Sequence, residues 1–194
     1  MNEIMGNLAF KEAPRTELID GKVVMLAAPS SAHEYVAENI HGIFRDYLRG
    51  KPCRAFMSNM AVFLDSGNQY QPDVKVVCDR SKIKGDGIHG APDLVVEVLS
   101  HSTGRYDRGK KMQAYERCGV REYWIVDPES RNIEQYILQN GKFVLRDVYG
   151  QFKDFELNRM TEEERAAVVK EFRCSLFEDL VIAVEDVFDE LEDW

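Results

Sequence analysis

Two apolar runs in this chain carry carboxylates where a buried strand would carry none. Gln71-Pro72-Asp73 opens the first, and Ala91-Pro92-Asp93-Leu94-Val95-Val96-Glu97-Val98-Leu99 forms the second. Val- and Leu-rich runs bounded by Pro, Gly and polar residues are strand signals. A carboxylate buried in such surroundings costs several kcal/mol unless a cation or a hydrogen-bond network meets it. On a strand, side chains at i, i+2 and i+4 share a face, so Asp93, Val95 and Glu97 point the same way, and Asp73 joins them if the two strands pair. Together they would make a hard oxygen site suited to a divalent metal.

The rest of the chain is expected to build one domain around that site. It has 194 residues, 44% of them hydrophobic, and no Pro/Ser/Gly-rich linker divides it. The four cysteines, at 53, 78, 118 and 174, show neither CxxC spacing nor a His-x-His companion, which indicates reduced core thiols rather than a zinc site or a disulfide framework. No run approaches eighteen apolar residues, and Glu3, Lys11 and Glu12 interrupt the N-terminal apolar pieces. The expectation is a soluble, unexported, cytoplasmic protein with no membrane partner.

A net charge of −9 argues at first against nucleic acid, whose phosphates are bound by Lys and Arg. The charge is unevenly spread. Residues 178–194 hold eight acids and no base, so the other 177 residues are close to neutral. Within them, residues 105–121 set Arg105, Arg108, Lys110, Lys111, Arg117 and Arg121 against Asp107 and Glu116. That segment can face phosphate, or it can be a helix with a solvated charged face.

Local patterns give a coarse element order. Asp20-Gly21 between apolar runs predicts a β-hairpin over residues 16–25. Ser30 or Ser31 caps a helix whose apolar positions are Val36, Ile40, Ile43, Phe44, Tyr47 and Leu48, stopping at Gly50 and Pro52. Short strands follow near 53–57, 60–65, 73–78 and 93–99, expected to lie with 122–127 in one sheet. A second helix runs from Thr103 to Cys118, with Gly119 beyond its end. Residues 122–128 and 133–138 read as a strand pair, 161–173 as a short charged helix, and the acidic C-terminus as helical or frayed. The order implies a mixed sheet flanked by helices.

Leaving the strand after Glu97 and entering that second helix brings Asp107 and Lys111 back toward the carboxylates. The two are also an i, i+4 pair, and an ordinary surface ion pair is the simpler account of them.

The residues Pro72-Asp73-Val74, Gly90 to Ser100, Ser102-Thr103, Tyr106-Asp107, Lys111, Tyr115 and Gly119 to Pro128 closely resemble the Uma2 family, a domain common in cyanobacteria and other bacteria. The resemblance covers about residues 15–150. It implies the α+β fold of restriction endonucleases of the PD-(D/E)xK superfamily, a mixed sheet of four or five strands between helices, and with it a Mg2+- or Mn2+-dependent phosphodiesterase. In that superfamily a lysine follows the strand acid by two positions. Here Glu97 is followed by Val98 and Leu99, and Lys111 resembles a lysine moved to the next helix.

Carried over residue by residue, the resemblance implies Asp73, Glu97 and Asp93 as metal ligands and Lys111 as the fourth catalytic residue. Lys111 would orient or deprotonate the attacking water, or neutralise a nonbridging oxygen. Gln71 would place substrate or water, and Arg105, Arg108, Lys110 and Arg117 would contact DNA phosphates. Glu34 or Glu38 would take an accessory acidic role. Enzymes of this kind commonly pair two sites, so a homodimer is expected, with Leu180, Val181, Ile182, Val184, Val187, Phe188 and Leu191 as a partner-facing stripe. The alternative function is a nuclease-fold binding or regulatory module with little catalysis. Ser100 and His101 show no ordered Ser-His-Asp arrangement, and Gly85, Gly87 and Gly90 do not form a phosphate-binding loop.

Overall fold

A computed structural model describes residues 15–100 and 104–191, and of Arg105 the backbone alone. The chain is a mixed α+β structure with a five-stranded sheet, a six-stranded sheet and a small two-stranded one. In chain order the elements are β1 (Thr16–Ile19), β2 (Lys22–Met25), α1 (Ser31–Tyr47), β3 (Arg54–Met57), β4 (Val62–Asp65), β5 (Asn68–Tyr70), β6 (Val74–Val77), β7 (Ile88–His89) and β8 (Leu94–Val98). They continue with α2 (Gly104–Tyr106), a π-helical turn (Asp107–Lys111), α3 (Met112–Cys118), β9 (Glu122–Asp127), β10 (Asn132–Gln139) and β11 (Lys142–Gly150). The chain closes with α4 (Asp154–Leu157), α5 (Glu162–Ala166), β12 (Glu171–Arg173), β13 (Val181–Ala183) and α6 (Val184–Val187).

The six-stranded sheet has the order β11-β10-β9-β8-β6-β3, antiparallel except for the parallel β8–β9 pair. The five-stranded sheet runs β2-β1-β5-β4-β7. Residues 53–127 therefore do not make one sheet as expected, because β5 pairs with β1 of the N-terminal hairpin and carries β4 and β7 into that second sheet. That hairpin turns at Asp20 and Gly21, both at positive φ (50° and 74°), the type I′ geometry that an Asp-Gly pair favours.

Alternation along the central strands feeds two cores. Leu94, Val96 and Val98 of β8, with Val74 and Val76 of β6 and Trp124 and Val126 of β9, pack against Val36, Ala37, Ile40 and Phe44 of α1. Val95, Tyr123 and Ile125 face the other way, toward Tyr70, Ala114 and Tyr115. Strands covered on both faces read as near-continuous apolar runs, which is why β8 carries so few polar residues.

The C-terminal segment is neither a tail nor a partner-facing stripe. Leu180, Ile182, Val184, Val187, Phe188 and Leu191 are buried in the same core as α1, and of the seven proposed positions only Val181 is exposed. A buried carboxylate holds this segment in place. Glu122 Oε1 accepts hydrogen bonds from Trp124 Nε1 (2.7 Å) and Gln135 Nε2 (2.6 Å). Its Oε2 accepts from the Ser175 and Leu176 amides (2.8 and 3.3 Å) and from the Ser175 hydroxyl. Glu122→Gln turns one acceptor into a donor facing these donors and should lower stability by about 1–3 kcal/mol in urea unfolding. An unchanged midpoint would show that apolar packing alone anchors residues 174–177.

The cysteines also depart from expectation. Cys53 and Cys78 form a disulfide, while Cys118 and Cys174 are free. Antiparallel pairing of Arg54 with Val77 sets the two flanking cysteines opposite each other across the β3–β6 ladder, a juxtaposition invisible in a 25-residue spacing. Among the described residues no helix is long and apolar enough to cross a membrane.

Candidate active site

Asp73 immediately precedes β6, and Glu97 is the fourth residue of β8. These strands pair antiparallel with Val74 opposite Val96, so both acids lie at the same end of the ladder. Asp73 Oδ2 accepts from the Val98 amide (2.9 Å) and meets His33 Nε2 of α1 (3.2 Å). Glu97 Oε1 accepts from Tyr115 Oη of α3 (2.7 Å) and from Lys111 Nζ (3.2 Å). Both acids line a small cavity together with Arg15, Glu17, His33, Gln71 and Lys111.

Lys111 is the hub. Its ammonium lies 3.0 Å from Glu17 Oε2, 3.2 Å from Glu97 Oε1 and 3.3 Å from Asp107 Oδ1, and all four side chains are at most 4% exposed. The Asp107–Lys111 pair is thus a buried network member and not the surface i, i+4 pair that spacing alone suggested. The π-helical turn that spans these two residues is a feature found often at functional sites, and the Tyr123 hydroxyl donates to the Asp107 carbonyl (3.0 Å) at its start.

Three carboxylates around one ammonium leave the cluster with excess negative charge. Burial resists the charge on Lys111, but Glu97, Glu17 and Asp107 outweigh it and hold the ammonium well above its ordinary pKa. Glu97 moves up as well: burial is the main cause, with Asp107, Asp73 and Glu17 adding to it against the pull of Lys111. An ammonium held this way supplies fixed positive charge and is poorly suited to take a proton from water. His33 is raised above its usual value because Asp73 more than offsets the desolvation that would lower it. Burial pushes Lys75, whose Nζ donates to the Met57 and Pro72 carbonyls, down to about 7.

The remaining expected residues are placed as follows. Gln71 lines the cavity, with its amide donating to Glu17 Oε1 (2.7 Å) and its Nε2 to the Thr16 carbonyl (3.2 Å). Asp93 is not brought to the site. It immediately precedes β8, at the far end of the ladder from Asp73, where Oδ2 accepts from the Cys78 amide (2.8 Å) and Oδ1 lies 3.6 Å from Arg121. Sharing a face with Glu97 does not carry it four residues along the strand. Glu34 and Glu38 are exposed and do not line the cavity; it is His33 that α1 turns inward. Arg108 pairs with Glu134 (2.6 Å), Lys110 with Asp20 (2.9 Å) and Arg117 with Asp65 (3.2 Å), all at the surface. The Arg105 side chain and the expected Ser102/Thr103 cap lie outside the described residues.

Glu17, His33, Lys75 and Tyr115 were missed as site residues. Glu17 had a signal: two residues before the apolar Ile19, it shares the buried face of β1. Tyr115 is four residues beyond Lys111, one helical turn on.

Among the described residues no three His, Cys, Asp or Glu side chains are grouped so as to hold a metal ion. Two carboxylates suffice for a Mg2+ ion, which keeps several waters and takes phosphate oxygens for the rest of its octahedron. The contacts to Val98, His33, Tyr115 and Lys111 all fall on one oxygen of each acid, Asp73 Oδ2 and Glu97 Oε1. The cavity measures about 50 Å³, room for about three water-sized atoms. This donor set fits a hydrated divalent cation and is too small for a nucleotide.

A family model, Uma2, described as "Putative restriction endonuclease", matches residues 4–168. A protein of Synechocystis sp. is 30% identical over 128 residues, 65% of this chain and 67% of its own. A second Synechocystis protein is 23% identical over 151 residues, covering 75% and 85%. The crystal structure of "a putative nuclease belonging to DUF820" from Anabaena variabilis has the same fold, with a TM-score of 0.69, 92% of each chain covered and 19% identity.

Proposed function

Because the chain belongs to the Uma2 family, we propose that it is a divalent-cation-dependent endonuclease that hydrolyses DNA phosphodiester bonds, using Mg2+ or Mn2+. The observation that carries this reading is the convergence of Asp73, Glu97 and the Lys111 ammonium on one small cavity at the end of the β6–β8 ladder. Asp73 and Glu97 would hold the cation, and Asp93 is no longer among its ligands. A bound divalent cation lowers the pKa of water and neutralises charge building on phosphorus. Lys111, fixed by three carboxylates, adds positive potential on the protein side. His33 orients Asp73 through its 3.2 Å contact, and Tyr115 orients Glu97. The cavity does not admit a nucleotide, so the scissile phosphate would approach its mouth, beside the loop Leu26–Pro29 and Gln71. Arg105, Arg108 and Lys110, on the same helical segment as Lys111, would meet flanking phosphates, Arg108 by exchanging Glu134 and Lys110 by exchanging Asp20 for DNA. A cytoplasmic location suits this substrate.

Those same ion pairs favour a second reading. With Arg108, Lys110 and Arg117 each matched to an acid, little positive charge is left unpaired, as in a nuclease fold kept for binding or regulation. Plasmid and linear DNA incubated with the purified protein and millimolar Mg2+ or Mn2+ separate the two. Cleavage abolished by chelation and restored by added cation is expected. Intact DNA under every cation, with binding retained, would favour the regulatory module.

A further inference from the structure

We infer that the outer edge of β11 is the contact by which two copies of this chain join, antiparallel, into one continuous twelve-stranded sheet. The inference does not rest on the catalytic reading. Among the described residues β11 ends the six-stranded sheet and pairs with β10 alone. Of its nine residues, the central five, Val144 to Val148, are all exposed. Long apolar edge strands are rare in monomers because their unpaired amides and carbonyls accept any other strand. Here Val144, Leu145 and Val148 are 44%, 47% and 48% exposed on that edge.

The occupant follows from self-complementarity. A two-fold axis between residues 146 and 147 places Arg146 of one copy opposite Asp147 of the other, and Leu145 opposite Val148, each pair occurring twice. Opposite charges and aliphatic pairs directly across a ladder stabilise it, and a two-fold contact must match itself in this way. Among the described residues, Arg146 has no ion-pair partner and Asp147 accepts only from the neighbouring Val148 amide.

A β-bulge in β11 makes the register consistent. In a regular strand residues 145 and 148 point to opposite faces, and the aliphatic pair could not meet across an axis normal to the sheet. The β10–β11 register shifts between Gln135, opposite Asp147, and Tyr136, opposite Leu145, leaving Arg146 as the extra residue. The alternation is thereby reset. Leu145 lies opposite Tyr136 and Val148 opposite Glu134, two residues that share one face of β10. Tyr149 meanwhile reaches the other face, where its ring stacks on Phe172. A bulge that commonly protects an edge here turns both aliphatic side chains to one side.

Light scattering across micromolar to hundred-micromolar concentrations, with the intact chain, tests the interface. The wild type should show twice the chain mass. Arg146→Asp and Asp147→Arg should each weaken association by about tenfold to hundredfold, by setting like charges face to face. An equimolar mixture of these two variants should recover the dimer, since an all-acidic edge then meets an all-basic one. Recovery also requires both variants to be folded. A wild-type monomer throughout the range, or a dimer that neither single variant weakens, would overturn the inference.

Discussion

Replacing Lys111 with Met should destabilise the protein by about 3–5 kcal/mol at neutral pH, the cost of leaving buried charges unpaired. The substitution nearly preserves volume, so packing is not the source of the loss. What remains is Glu17, Glu97 and Asp107, previously 3.0–3.3 Å from one ammonium, with no cation among them. The pH dependence separates this electrostatic cause from a packing defect. Unpaired, Glu97, which burial already holds high, binds a proton in the fold at a pH where the unfolded chain has already released it. The deficit is therefore full near neutrality and shrinks as pH falls toward the ordinary carboxylate range, where the unfolded chain is protonated as well. Urea midpoints of wild type and Lys111→Met measured from pH 7 down to pH 5 should converge. A constant difference would mean that Lys111 acts through its methylene stem.

The sequence revealed the secondary structure better than the assembly of that structure. The hairpin at Asp20-Gly21, the capped helix Ser31–Tyr47 and the alternating strands around Glu97 are local features, and local chemistry decides them. Which strands pair is not local. Nothing within Val62–Asp65 or Asn68–Tyr70 says that they join the N-terminal hairpin instead of the central sheet. The C-terminal apolar residues show the same limit: periodicity marks them as needing cover, and only the fold shows that α1 supplies it.

The candidate site follows the same rule. Asp73 and Glu97 were legible because their charge contradicts the apolar runs around them, whereas Lys111 sits in a charged segment where a surface ion pair accounts for it, and only the family resemblance singled it out. The place of Asp93 was not, because a strand's two-residue period gives the face of a side chain but not its position along the ladder. Glu17 lies 80 residues from Glu97 in sequence, and only the pairing of β1 with β5, through Leu18 and Gln69, brings the hairpin to the site.

Glu97→Gln should reduce cation-dependent DNA cleavage by about 10²- to 10⁴-fold and weaken Mg2+ binding measured by calorimetry, while the fold becomes more stable. The two halves of this expectation have one origin. Glu97 is pushed to a high pKa chiefly by burial, so holding it ionised costs the folded state free energy. That cost is absent below the carboxyl's unfolded pKa, grows as pH rises toward its folded value, and is constant above it. A neutral amide of the same shape removes the cost but gives up a ligand oxygen, so the gain in unfolding midpoint should be larger at pH 7 than at pH 5. A group retained for chemistry at the expense of stability behaves this way, whereas a purely structural carboxylate would lose stability on neutralisation. Asp93→Asn supplies the contrast: from the far end of the ladder it should leave cleavage within about twofold of wild type, because its carboxylate engages Cys78 and Arg121 and not the cavity. If Glu97→Gln cuts as fast as the wild type, the pair Asp73 and Glu97 is not the cation site.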